Sequence, residues 1–192
     1  NSSYYSSVGS SSKTISSGSA NGLYSFYAYD KAQNKSKTYY VYFDSTKPVG
    51  TLKTSIGAVS SGSYTNQSFS YTASDSGSGI KTLQYKTPGS STWKTYTSGT
   101  TISSTSTNGW YYFRAQDKSG LYSDESKICL DTGKPTGTLY GGTKAAASGS
   151  TVTSQYVKFT ATDGLSGISK VYVKKPGAVG YAVISNRKRF YY

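Results

Sequence analysis

Residues 108–117 read Asn108-Gly109-Trp110-Tyr111-Tyr112-Phe113-Arg114-Ala115-Gln116-Asp117, and the same frame recurs as Asn21-Gly22-Leu23-Tyr24-Ser25-Phe26-Tyr27-Ala28-Tyr29-Asp30. Alternate residues are kept between the copies: Tyr111, Phe113 and Ala115 in one, Tyr24, Phe26 and Ala28 in the other. The residues between them change. A period of two with one constant face describes an antiparallel strand that buries one side and wets the other. Working outward, residues 21–52 align with 108–139 without a gap, 14 of 32 positions are identical, and the interval from Pro48 to Pro135 sets a period of 87 residues. That is too long for a short solenoid repeat and suits one small β-sandwich. A second stretch, Thr72–Ile80, returns as Thr160–Ile168 at an offset of 88. With the two prolines as boundaries, residues 1–47 are the later part of one unit, 48–134 a complete unit, and 135–192 the earlier part of a third. The chain starts and stops inside repeats and so reads as a piece of a longer polypeptide.

Alternation and turn residues divide the complete unit into seven expected strands: Thr51–Ile56, Gln67–Ser74, one from Ile80 to Tyr85, Trp93–Tyr96, Thr101–Ser104, Gly109–Ala115, and a last one carrying Ile128 and Leu130. Asp75-Ser76-Gly77-Ser78-Gly79 and Asp117-Lys118-Ser119-Gly120 are turns, because Asp bonds its own following backbone and Gly supplies positive φ. Pro48 and Pro135 suit a strand entry or linker, since proline donates nothing to a ladder.

Seven short strands so punctuated make an all-β chain of two-sheet sandwiches of immunoglobulin type. Tyr111 and Tyr24 stand where a tyrosine corner is expected. The string Asn-Gly-x-Tyr-x-Phe-x-Ala-x-Asp-Lys, then a hydrophobic strand and Asp-(Ser/Thr)-x-Lys-Pro-x-Gly-Thr, resembles the bacterial Ig-like repeats of secreted and surface proteins, especially of Gram-positive type. So does Ala-x-Asp-x-x-Ser-Gly-Ile. The resemblance spans nearly the whole chain, with residues 1–20 and 177–192 its weakest parts, and it implies an extracellular, cell-surface or cell-wall setting. It implies no single activity, because such modules serve as stalks, adhesins and appendages of secreted enzymes. The tail Ala182–Tyr192 lacks the Asn-Gly-x-Tyr strand, so the third unit is expected to leave apolar faces uncovered, with Arg187–Tyr192 the least ordered.

The absence of histidine removes Ser-His and Cys-His nucleophile pairs and His-based metal sites, so no catalytic residues and no cofactor are expected. The lone Cys129 allows no internal disulfide, and its repeat-equivalent Tyr42 marks the position as an ordinary strand residue. Six of the eight acidic residues form repeat-equivalent pairs: Asp30 with Asp117, Asp44 with Asp131, and Asp75 with Asp163. Turn capping accounts for one carboxylate per turn; calcium between tandem units is the alternative. Asp124-Glu125 reads as solvated surface. The net charge of +13 comes from lysines dispersed along the chain, with only Lys174-Lys175 and Arg187-Lys188-Arg189 clustered. Without a nucleic-acid motif, it suits attraction to an anionic envelope polymer or acidic glycan, or plain solubility. No apolar run approaches a membrane span, so no membrane insertion is expected. Tyr39, Tyr40, Tyr42, Tyr112, Trp93 and Tyr96 are expected to be partly exposed, pairing across strands or stacking on sugars. The leading expectation is a non-catalytic spacer or adhesive module; the alternative is an accessory carbohydrate-binding module of a secreted glycan-degrading enzyme.

Overall fold

A computed structural model of the protein describes residues 12–184 and contains fifteen strands and no helix among them. Strands β1 (Gly22–Phe26) and β2 (Tyr39–Phe43) form an antiparallel pair. The central segment follows with β3 (Val49–Thr54), β4 (Gly57–Val59), β5 (Ser63–Thr65), β6 (Phe69–Ser74), β7 (Ile80–Lys86), β8 (Lys94–Tyr96), β9 (Gly109–Asp117) and β10 (Ser126–Leu130). These make a three-stranded sheet ordered β4-β3-β6 and a five-stranded sheet ordered β5-β10-β9-β7-β8, in which β5 alone runs parallel to its neighbour. The last segment repeats the first of these sheets: β11 (Thr136–Gly141), β12 (Lys144–Ala146) and β13 (Val157–Thr162) take the order β12-β11-β13. A short pair, β14 (Val171–Val173) and β15 (Ala182–Ile184), ends the described chain.

Among the described residues the core lies wholly in the central segment. Leu52, Phe69 and Tyr71 from the three-stranded sheet meet Leu83, Tyr96, Tyr111, Phe113, Ala115, Ile128 and Leu130 from the other. Tyr71 stacks on Phe113 with ring centroids 5.0 Å apart, and Phe69 meets Tyr111 edge-on at 5.3 Å. Burial alternates without a break along β9, as its period of two requires. Gly50 explains the invariant Gly of the Lys-Pro-x-Gly-Thr string: a Cβ there would run into the ring of Tyr71 on the paired strand, and Gly137 stands in the same relation to Phe159. Both prolines sit immediately before a strand, β3 and β11, rather than inside one.

The expected strands change in several details. Seven strands become eight in residues 48–134. Thr101–Ser104 is no strand but a single bridge, Phe69 to Ile102, because turns closing at Thr100 and Ser106 leave room for one rung. The segment Gly57–Thr65, unassigned from sequence, holds β4 and β5; the chain corners at Gly62 (φ 90°) and changes sheets, so it shows no alternation to read. The first strand of the segment also begins at Val49 rather than Thr51, and Ile56 is exposed in the turn after it.

Candidate functional site

All of the repeat-equivalent aspartates but Asp30 lie where consecutive segments meet. Asp44, just past β2, uses Oδ1 to accept the Thr46 N–H at 2.9 Å in a local turn, and Asp131, just past β10, does the same with Gly133 at 3.0 Å. Their other oxygens reach the next segment: Asp44 Oδ2 accepts the Ser78 N–H at 2.6 Å, and Asp131 Oδ2 accepts the Ser166 N–H at 2.9 Å. One hydrogen bond is thus reproduced at both junctions by residues that align in the repeat. Asn21 and Asn108 brace the same elbow by accepting from the backbone of Ser45 and Thr132. At the first junction Tyr42 also donates to the carbonyl of Gly77 at 3.0 Å, and a Cβ on Gly77 would strike the Asp44 carboxylate. Hydrogen bonds from Ser78, its hydroxyl foremost, and from the Thr46 backbone hold the Asp44 carboxyl below its ordinary value of 3.8.

At that first junction a third carboxylate converges. Asp44, Asp75 and Asp117 each bring one oxygen to within 4.8 Å of the others. Asp75 caps its turn through Oδ2, which accepts the N–H groups of Gly77 and Gly79 at 3.0 and 2.8 Å. Asp117 caps the next turn through Oδ1, accepting from Leu121 N–H at 2.9 Å and the Ser119 hydroxyl at 2.8 Å. The remaining oxygens, Asp75 Oδ1 and Asp117 Oδ2, are enclosed and have no hydrogen-bond partner. Asp117 is 0% exposed, since it continues the inward phase of β9 beyond Ala115. The ion pairs among the described residues are Lys47 with Asp124 and Lys86 with Glu125, neither touching this triad. Lys118 lines a cleft of about 280 Å³ with Tyr42, Ser78 and Ser119, next in the chain to Asp117. A second cleft, about 440 Å³, opens at the other junction against Asp131 and Ser166, where Asp163 caps its turn alone. Turn capping, the reading taken from the sequence, therefore describes one oxygen of Asp75 and of Asp117. The convergence of three carboxylates was missed, although extending the period of two along β9 by one step puts Asp117 on the buried face.

The other candidates lie apart from the junctions. Tyr39, Tyr40 and Tyr42 are more than half exposed. Tyr96 is not: it is buried, donates to the Thr100 carbonyl and accepts the Tyr71 N–H at 3.0 Å, so the expectation of an exposed ring fails because β8 turns it inward between the sheets. Trp93 carries Lys86 Nζ at 4.4 Å and Arg114 Cζ at 4.2 Å from its ring centre, and Lys86 also lies 4.7 Å from that of Tyr112. A sugar stacking on Trp93 has to compete with these cations. Cys129 is completely buried, and desolvation, with Asp131 nearby, pushes its thiol upward. Lys174 and Lys175 are exposed, whereas Arg187, Lys188 and Arg189 lie outside the described residues. No helix of the described residues is long and apolar enough to cross a membrane. No known protein family, no curated protein and no solved structure matches the chain.

Proposed function

We propose that the chain is a non-catalytic structural and adhesive module of a bacterial extracellular protein, built from tandem immunoglobulin-like sandwiches that act as a spacer. The supporting observation is the same Asp-to-backbone hydrogen bond at both segment boundaries, Asp44 to Ser78 and Asp131 to Ser166. A spacer needs a joint whose geometry is specified each time the unit recurs, and a contact encoded in the repeat supplies one. The strand order supports the immunoglobulin-like reading, with a parallel edge strand, β5, leaving the three-stranded sheet's side of the chain to pair with β10. The tyrosines support it too: Tyr111 donates to the Thr107 carbonyl at 2.9 Å and Tyr24 to the Ala20 carbonyl at 2.6 Å, four residues upstream in each case. A net charge of +13 favours an anionic envelope polymer, acidic glycan or acidic surface protein as the contact.

The accessory carbohydrate-binding reading draws on exposed aromatics, Tyr29, Tyr39, Tyr40 and Tyr42 above all. Small-angle scattering with a glycan array separates the two. A stiff, extended particle without glycan binding is the result expected of a spacer. Glycan binding that Trp93→Ala or Tyr112→Ala abolishes replaces that reading with the second.

A further inference from the structure

The geometry points to a calcium site at the first junction, held by Asp44 from the strand end of one segment and by Asp75 and Asp117 from two turns of the next. Three observations carry it. The carboxylates converge within 4.8 Å although the chain as a whole is strongly basic and has lysines to spare. None of the three has an ion-pair partner among the described residues. Most pointedly, Asp117 is fully buried, uses one oxygen on its own turn, and leaves the other enclosed and unpartnered, as does the Oδ1 of Asp75.

An enclosed carboxylate oxygen without a donor is costly, and like charges so close repel; a hard divalent cation removes both penalties at once. Oxygen-only ligands with no histidine or thiolate suit calcium, whose flexible shell of six to eight oxygens is completed by water or carbonyl groups. Because the ligands come from both sides of the boundary, the ion would tie β2 to the turns after β6 and β9. The second junction contributes Asp131 and Asp163. Among the described residues the first junction holds the one complete triad. The site rests on this geometry whether the chain serves as a spacer or as a sugar-binding module.

Calorimetry of the chelator-stripped chain titrated with calcium chloride tests it, with tyrosine-sensitised terbium emission as a second probe. One calcium per chain is expected, with Kd on the order of 10⁻⁴–10⁻³ M, as for extracellular modules. Asp44→Asn and Asp117→Asn are each expected to weaken binding at least about tenfold, and Asp124→Asn to leave it unchanged. Asp44 lies outside the buried core, so its variant remains informative if Asp117→Asn fails to fold. Absence of binding at millimolar calcium, binding that survives Asp44→Asn undiminished, or uptake of magnesium to the exclusion of calcium would each overturn the assignment.

Discussion

Strands β1 and β2 pair in the register of β9 and β10: Tyr24 stands opposite Val41 as Tyr111 stands opposite Ile128, and Gly22 opposite Phe43 as Gly109 opposite Leu130. The local hydrogen bonds are copied as well. Ala28 N–H donates to Ser36 Oγ and Ala115 N–H to Ser123 Oγ, both at 2.9 Å. Yet Phe113 is 0% exposed and Phe26 only partly covered, Ile128 is 0% exposed and Val41 52%. Cys129 is buried on β10, which is flanked by the parallel edge strand β5, whereas β2 has no second neighbour among the described residues and its Tyr42 reaches across the junction. Asp30 and Asp117 diverge in the same way. Asp30 is exposed, with both oxygens bonded to Asn34, and those bonds hold its carboxyl below 3.8; Asp117 is buried with one oxygen unused. A hairpin and its turns are thus locally encoded, while burial depends on the opposing sheet, which the described residues supply only to the central copy.

The largest test of this contrast is Phe113→Ala, which should cost about 3–5 kcal/mol in denaturant unfolding, as for a large aromatic lost from a core. Phe26→Ala, at the aligned position, should cost well under half as much. Equal losses would show that the first hairpin is packed as tightly as the second. Gly50→Ala comes next: its methyl meets the Tyr71 ring in a closed core, so a destabilisation of about 1–3 kcal/mol is expected. Gly137→Ala should be milder, since Phe159 is 48% exposed and can swing aside. Tyr111→Phe removes a hydrogen bond from a phenol 3% exposed and should cost about 1 kcal/mol, with Tyr24→Phe below that.

Titration separates the regions more gently. Burial raises the phenols of Tyr71, Tyr96 and Tyr111 above 10.0, so the stability they contribute is complete below that value and falls as the pH rises through their folded-state values. In alkali their phenolate absorbance should appear together with unfolding of the central segment; ionisation in the intact fold would contradict their burial. Asp44 is shifted the other way. Its junction contact should persist above pH 3.8 and loosen as the pH falls through its lower folded value, and the Ser78 amide resonance should report it. A midpoint at or above 3.8 would remove that contact from the joint.

The amino-acid sequence by itself determined the repeat, its period, the inward phase of β9, the turns at Asp75 and Asp117 and the placement of both prolines. Apart from the repeat itself, each of these depends on residues close in the chain: a period of two, an Asp bonding its own backbone, a proline that donates nothing to a ladder. Tertiary structure decided what no local rule reaches. It reduced Thr101–Ser104 to one rung, sent β5 to the opposite sheet, turned Tyr96 inward, and gathered Asp44, Asp75 and Asp117 from positions up to 73 residues apart. Those outcomes follow from which surfaces face one another across the sheets and across the junction, and repeat-equivalent residues acquire different burial there because the surface opposite them differs.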